Sequence, residues 1–208
     1  MKVEFTDKIQ VINSIYRRGS IMKLINAAII LILFTGCSKS DDDDADAIKG
    51  ETPSGTFTSD CEEEDGEYSN TSFVFSDDNV SLKLNNSESD STCAQADFTA
   101  ELAGTFTIDA AEKEPTDSFY PFSVTFSKMY LTVIGEQMTA GWNAQSVCGK
   151  DDWKAGTKVD VTDLTCEQFT FSNFGFTKDK AQQMNYKLTD TVFTIEDDEE
   201  GNTDFTKE

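Results

Sequence analysis

Phe122-Ser123-Val124-Thr125-Phe126-Ser127-Lys128-Met129-Tyr130-Leu131-Thr132-Val133 is the stretch that decides the fold. Phe122, Val124 and Phe126 alternate with polar residues, the period of a strand with one buried face. The apolar parity then moves to Met129, Leu131 and Val133. A strand survives such a slip if one extra residue is inserted, so a bulge or turn is expected near Ser127-Lys128. The same alternation recurs on either side. Upstream lie Phe73 with Phe75, then Val80, Leu82 and Leu84. Phe98, Ala100, Leu102, Phe106 and Ile108 also share one parity, and Gly104 permits a bend among them. Downstream, Phe169 with Phe171, Met184 with Tyr186 and Leu188, and Phe193 with Ile195 read as closing strands. Residues 76–79, 85–91 and 111–118 are rich in turn formers. Residues 136–145 lack alternation and predict one short helix. Strands at this spacing predict an all-β domain over 53–196, an antiparallel barrel or, as the alternative, a β-sandwich. Residues 197–208 read as an acidic C-terminal tail.

The 208 residues carry 39 acidic and 17 basic side chains, a formal charge of −22, and no histidine. Phosphate backbones would be repelled by such a chain, and no basic patch offsets the repulsion, so nucleic acid is not an expected partner. Without histidine, Ser-His-Asp and Cys-His catalysis are excluded, as is any metal site that needs imidazole. There is no Gly-rich phosphate loop. No catalytic residue and no cofactor are assigned, and the chain reads as a non-enzyme.

Residues 24–34 (LINAAIILILF) form the one strongly apolar block. Arg17, Arg18 and Lys23 precede it and small residues follow, the order of a secretory signal; a membrane-spanning helix needs about 20 apolar residues. The junction Phe34-Thr35-Gly36-Cys37 resembles the bacterial lipobox, with Phe34 where Leu is usual. That resemblance implies cleavage before Cys37 and acylation of Cys37 as a membrane anchor. Met22-Lys23 is a natural start, so 22–36 read as the signal peptide and 1–21 as a start-site overcall or leader extension. Loss of residues 1–36 removes five basic and two acidic residues, leaving 12 against 37, or −25. Residues 37–52, with Asp41, Asp42, Asp43, Asp44 and Asp46, read as a self-repelling, extended tether. Ser38 after the cysteine, and the acidic run itself, resemble lipoproteins sent to the outer membrane or cell surface of Gram-negative bacteria.

Four cysteines then remain: Cys61, Cys93, Cys148 and Cys166. An even number in an exported chain predicts two disulfides, with three connectivities open. Cys61–Cys93 with Cys148–Cys166 is favoured, because it closes the shorter loops. The cysteines are too far apart for paired zinc ligands.

Several fragments occur together: Ser54-Gly55-Thr56-Phe57-Thr58-Ser59-Asp60-Cys61, Ser91-Thr92-Cys93, Gly104-Thr105-Phe106-Thr107-Ile108, Val124-Thr125-Phe126-Ser127, Cys148-Gly149-Lys150-Asp151-Asp152-Trp153, Asp160-Val161-Thr162 and Tyr186-Lys187-Leu188. Their order resembles small bacterial exported domains related to lipocalin-like barrels. More distantly, it is similar to the extracellular domain of the adenomatosis-polyposis-coli-down-regulated Wnt inhibitors. Gly55-Thr56-Phe57 stands where lipocalins carry Gly-x-Trp. The resemblance spans about residues 53–196 and implies a barrel with an apolar interior able to hold an acyl chain.

Phe73, Phe75, Phe98, Phe106, Phe126 and Phe171 are accordingly the candidate lining of a ligand cavity for a fatty acid or other lipid. The competing reading is a core packed solid by those same rings. Trp153 reads either as a cap on the barrel mouth or as packing over a disulfide, and Trp142 as part of a helix laid over one end. Neither acidic loop satisfies an EF-hand register, because Lys207 and Ser72 fall where the bidentate Glu is required. No metal site is assigned. Two functions stand: a lipid-anchored envelope protein that binds a hydrophobic ligand, or a structural or protein-interaction module with a solid core and acidic surface.

Overall fold

The computed structural model describes residues 50–109, 119–196 and 202–208. The expected signal peptide, Cys37 and the expected tether as far as residue 49 lie outside them, as do residues 110–118 and 197–201. Ten strands are formed by the described residues: β1 Gly55–Thr58, β2 Glu62–Glu64, β3 Glu67–Ser76, β4 Asn79–Ser87, β5 Phe98–Ile108, β6 Tyr120–Val133, β7 Thr157–Asp160, β8 Gln182–Leu188, β9 Val192–Ile195 and β10 Thr203–Lys207. The helix α1, Glu136–Gln145, has the bounds expected of it.

The ladder runs β1-β3-β4-β5-β6-β8-β9-β10 and returns to β1, with every pairing antiparallel. It is a closed eight-stranded up-and-down barrel, and closure settles the choice between barrel and sandwich. β2 and β7 stand outside this ring, extending the sheet along one half of β3 and one half of β6.

The slip in β6 is a bulge. Gly104 faces Phe126 and Ala103 faces Lys128, so Ser127 has no partner across the ladder. The extra residue keeps Phe122, Val124, Phe126, Met129, Leu131 and Val133 all inside, each at most 2% exposed. Gly104 belongs to the same device. A Cβ there would lie 1.9 Å from the Thr125 carbonyl oxygen and 2.7 Å from Phe126 Cα. The bulged strand therefore comes too close to β5 for any side chain. β5 runs through this point as one continuous strand.

Register defines two ends. One rim carries the β3–β4 turn at Asp77-Asp78, the β8–β9 turn, the start of β1 and the end of β10. The opposite end carries the β2–β3 turn, the β4–β5 loop and α1. β8, β9, β10 and β1 are short and wall only the half nearest the first rim. On the other half, residues 161–181 leave and rejoin β6 on either side of its bulge. Val161 N donates to Met129 O (2.9 Å) and Asp179 N to Phe126 O (2.9 Å), while Met129 N donates to Thr162 Oγ1 (2.9 Å). Backbone groups that β7 and β8 leave without a strand partner are thus satisfied.

Three expectations are corrected. The domain does not end at 196: within the expected tail, residues 203–207 form β10, which pairs with both β9 and β1 and buries Phe205. Phe169 and Phe171 do not form a strand. Phe171–Phe174 is a 3-10 turn whose N-terminal Thr170 accepts from Asn173 N and which ends at Gly175 in the left-handed region. The tether's end is docked: Glu51 O accepts from the Tyr186 hydroxyl, and Pro53, the first residue of the domain, is fully buried.

Gly104→Val is expected to force β5 and β6 apart at the bulge and to cost about 3 kcal/mol. Thermal unfolding followed by circular dichroism checks this, with a fall in Tm of roughly 10 °C expected.

Candidate functional site

The interior of the barrel is where the sequence placed its site, and it divides into two aromatic groups. Near the first rim, alternation on β1, β3, β5, β6, β9 and β10 points Phe57, Phe73, Phe75, Phe106, Phe122, Phe193 and Phe205 inward. Phe193 is the hub. Its ring lies 5.7 Å from Phe57, 5.6 Å from Phe73, 5.1 Å from Phe75, 5.9 Å from Phe122, 6.2 Å from Phe205 and 5.7 Å from Tyr186. Phe75 meets Phe106 edge-on at 5.0 Å, and Phe73 meets Phe205 edge-on at 5.2 Å. Edge-to-face pairs at these separations are the favoured arrangement of aromatic quadrupoles.

The second group lies at the helix end. Phe98, Trp142 and Phe169 form a triangle with sides of 5.6–5.7 Å, and Trp153 stands edge-on to Trp142 at 5.0 Å. Polar ends are satisfied here too. Trp153 Nε1 donates to Val147 O (3.1 Å), Trp153 N donates to Asn143 Oδ1 (2.6 Å), and Asn143 Nδ2 donates to Trp153 O (3.0 Å). Cys148–Cys166 binds the segment after α1 to the 161–181 excursion, and Phe176 from that excursion sits edge-on to Phe126 at 4.7 Å.

Five of the six candidate lining residues, Phe73, Phe75, Phe98, Phe106 and Phe126, therefore point inward. They do not share one space: three join the Phe193 group, Phe98 joins the tryptophans, and Phe126 packs on Phe176. Each is at most 4% exposed. Within each group ring meets ring, at centroid separations of 4.7–6.2 Å. Phe171 is only partly buried, at the edge of the core. Sequence reasoning missed Phe174, Phe176 and Phe205, all buried.

Both disulfides have the expected pairing, Cys61–Cys93 and Cys148–Cys166. Cys61–Cys93 fixes the β1–β2 junction to the β4–β5 loop. That loop is folded around Asp90, whose carboxylate accepts from Thr92 N, Thr92 Oγ1 and Gln95 N; the Thr92 bonds above all hold its pKa below the usual carboxylate range. Of the two loops weighed for calcium, Glu62, Glu63 and Glu64 are strand β2, and residues 197–200 lie outside the described part. Among the described residues no three acidic or cysteine side chains converge to hold a metal ion. Trp153 is buried, in the same apolar cluster as Cys148 and Cys166.

Among the described residues, the one strongly shifted acid is structural. Tyr186 is buried inside the first rim, and burial, with the neighbouring Tyr120 and Glu51 charges, raises its hydroxyl to about 12. In the unfolded chain it titrates near 10.0. Its stabilising contribution is therefore complete below pH 10 and is lost between pH 10 and about 12, where the unfolded chain releases its proton first. Tyr186→Phe is expected to be less stable at neutral pH, through loss of the bond to Glu51 O, yet to show a shallower decline above pH 10 in urea unfolding. Phe193→Ala is expected to cost about 3–5 kcal/mol, because six rings lose a common neighbour; urea midpoints measure it.

No protein-family model matches the chain, and no curated protein matches it either.

Proposed function

We propose that this chain is an exported lipoprotein, anchored through Cys37 to the outer membrane or cell surface of a Gram-negative bacterium, whose barrel is a non-enzymatic, solid-cored interaction module. The single observation that supports the solid-core reading is the close ring-to-ring packing inside the barrel. Phe193 occupies the centre of one half of the barrel with six aromatic neighbours, and Phe98, Trp142, Phe169 and Trp153 occupy the other. An eight-stranded barrel is just wide enough to be packed by its own side chains. Admission of a fatty acid would require those rings to separate, at a cost of several kcal/mol of packing.

The remaining support is chemical. Lipobox, apolar block and basic flank point to export and acylation, and two disulfides suit an oxidising compartment. Two or more acyl chains give stable anchoring where one gives only marginal binding. A rigid core with a charged exterior suits recognition through loops and surface, with the membrane as the first partner and a protein as the second.

The test has two arms. Titration of the purified protein with a fluorescent fatty acid is expected to show no saturable binding beyond that of a solid-cored control barrel. Saturable binding that a still-folded Phe106→Glu variant loses would overturn the solid module in favour of a lipid carrier. Separately, Cys37→Ser is expected to abolish incorporation of labelled palmitate in cells, and persistent incorporation would refute the anchor.

A further inference from the structure

We infer that the barrel stands upright on the membrane, with the Gly50 rim toward the lipid and the α1 end turned away from it. This orientation rests on the anchor at Cys37 proposed above. Its own observation is that the tether does not hang free as far as the first strand.

Gly50 lies directly on the first rim. A Cβ at this position would meet the Tyr186 hydroxyl oxygen at 2.4 Å and the Tyr120 side chain at 2.7–2.8 Å, so only glycine fits between these two tyrosines. One residue later, Glu51 O accepts the Tyr186 hydroxyl bond, and Pro53 is fully buried. Tyr120 and Tyr186 are cross-strand partners at the first-rim ends of β6 and β8. The point from which the chain departs toward Cys37 is therefore pinned to that rim.

The lengths then decide the orientation. Twelve residues lie between Cys37 and Gly50, so thirteen residue-to-residue steps join them. As a flexible coil they span about 20 Å, and fully extended at most about 45 Å. β6 has 14 residues and, allowing for barrel tilt, carries the barrel about 35 Å from rim to rim. Inverting the barrel would drive the α1 end into the bilayer unless the tether were drawn nearly straight. Upright, no such extension is required.

The experiment uses the full lipidated protein, reconstituted in vesicles of phosphatidylethanolamine and phosphatidylglycerol that carry a headgroup acceptor dye. A fluorescent non-natural residue is placed at Asp190, in the exposed β8–β9 turn of the first rim, or at Gln137, exposed on α1. Energy transfer from position 190 is expected to exceed that from position 137 at least twofold. Equal transfer, or greater transfer from 137, would overturn the orientation while leaving the anchor intact. In a Cys37→Ser background, transfer is expected to vanish from both positions; transfer that survives would overturn the anchor and the orientation with it. Gly50→Val cannot sit between Tyr120 and Tyr186, and is expected to bring the ratio toward one. A wild-type ratio in that variant would overturn docking at Gly50 as the cause.

Discussion

Four residues, Gly55–Thr58, hold the barrel shut. β1 pairs with β3 along its whole length, from Gly55 opposite Phe75 to Thr58 opposite Ser72, and with β10 at Phe57 and Thr58 on its other side. The last residue of the chain continues the ladder, Glu208 N donating to Thr56 O at 3.0 Å. An open sheet would expose a row of unpaired amides at each edge, and closure removes both rows. Closure also fixes the interior. With β1 in place, Phe57 lies against Phe75 and Phe193, and the alternation of seven other strands converges on one narrow apolar column.

Closure by such short strands leaves half of one wall unbuilt, and residues 161–181 supply the remainder without being a strand. They bond to β6 at Met129 and Phe126, bury Phe169, Phe174 and Phe176, and are tied by Cys148–Cys166 to the segment that follows α1. A disulfide closing a loop of this size constrains the unfolded chain by about 3 kcal/mol. The surface ion pairs nearby, Lys178–Asp163 and Lys128–Asp160, are exposed and contribute little in comparison. The irregular wall is therefore held by aromatic burial and covalent bonding, where its neighbours rely on ladders of backbone bonds.

These differences explain what was legible in the sequence. The β6 bulge could be read because six apolar residues shift parity together, and α1 because alternation stops abruptly at 136. The disulfides followed from loop length. β10 could not be read: Thr203-Asp204-Phe205-Thr206-Lys207 has a single apolar residue, and one residue defines no period. β2 is three glutamates, strand-forming only because β3 offers its edge. Phe169, Phe171, Phe174 and Phe176 show a period of two at either end of the run and a break in the middle, and the break is the 3-10 turn. For the site, inward phenylalanines were identifiable but their mutual contacts were not. The same alternating pattern lines a hollow barrel or fills a solid one.

The docking of Gly50 and the ladder bond of Glu208 place both ends of the described chain at one rim. Joining them by a short linker would leave the pairing of the strands uninterrupted, and the chain could be opened between Ile108 and Tyr120, the ends of β5 and β6 at the same rim. The fold thus lends itself to circular permutation. A permuted chain would begin with β6, the strand that carries the bulge, and would make β1 and β10 consecutive, so that a pairing between strands now far apart in sequence would become a local hairpin.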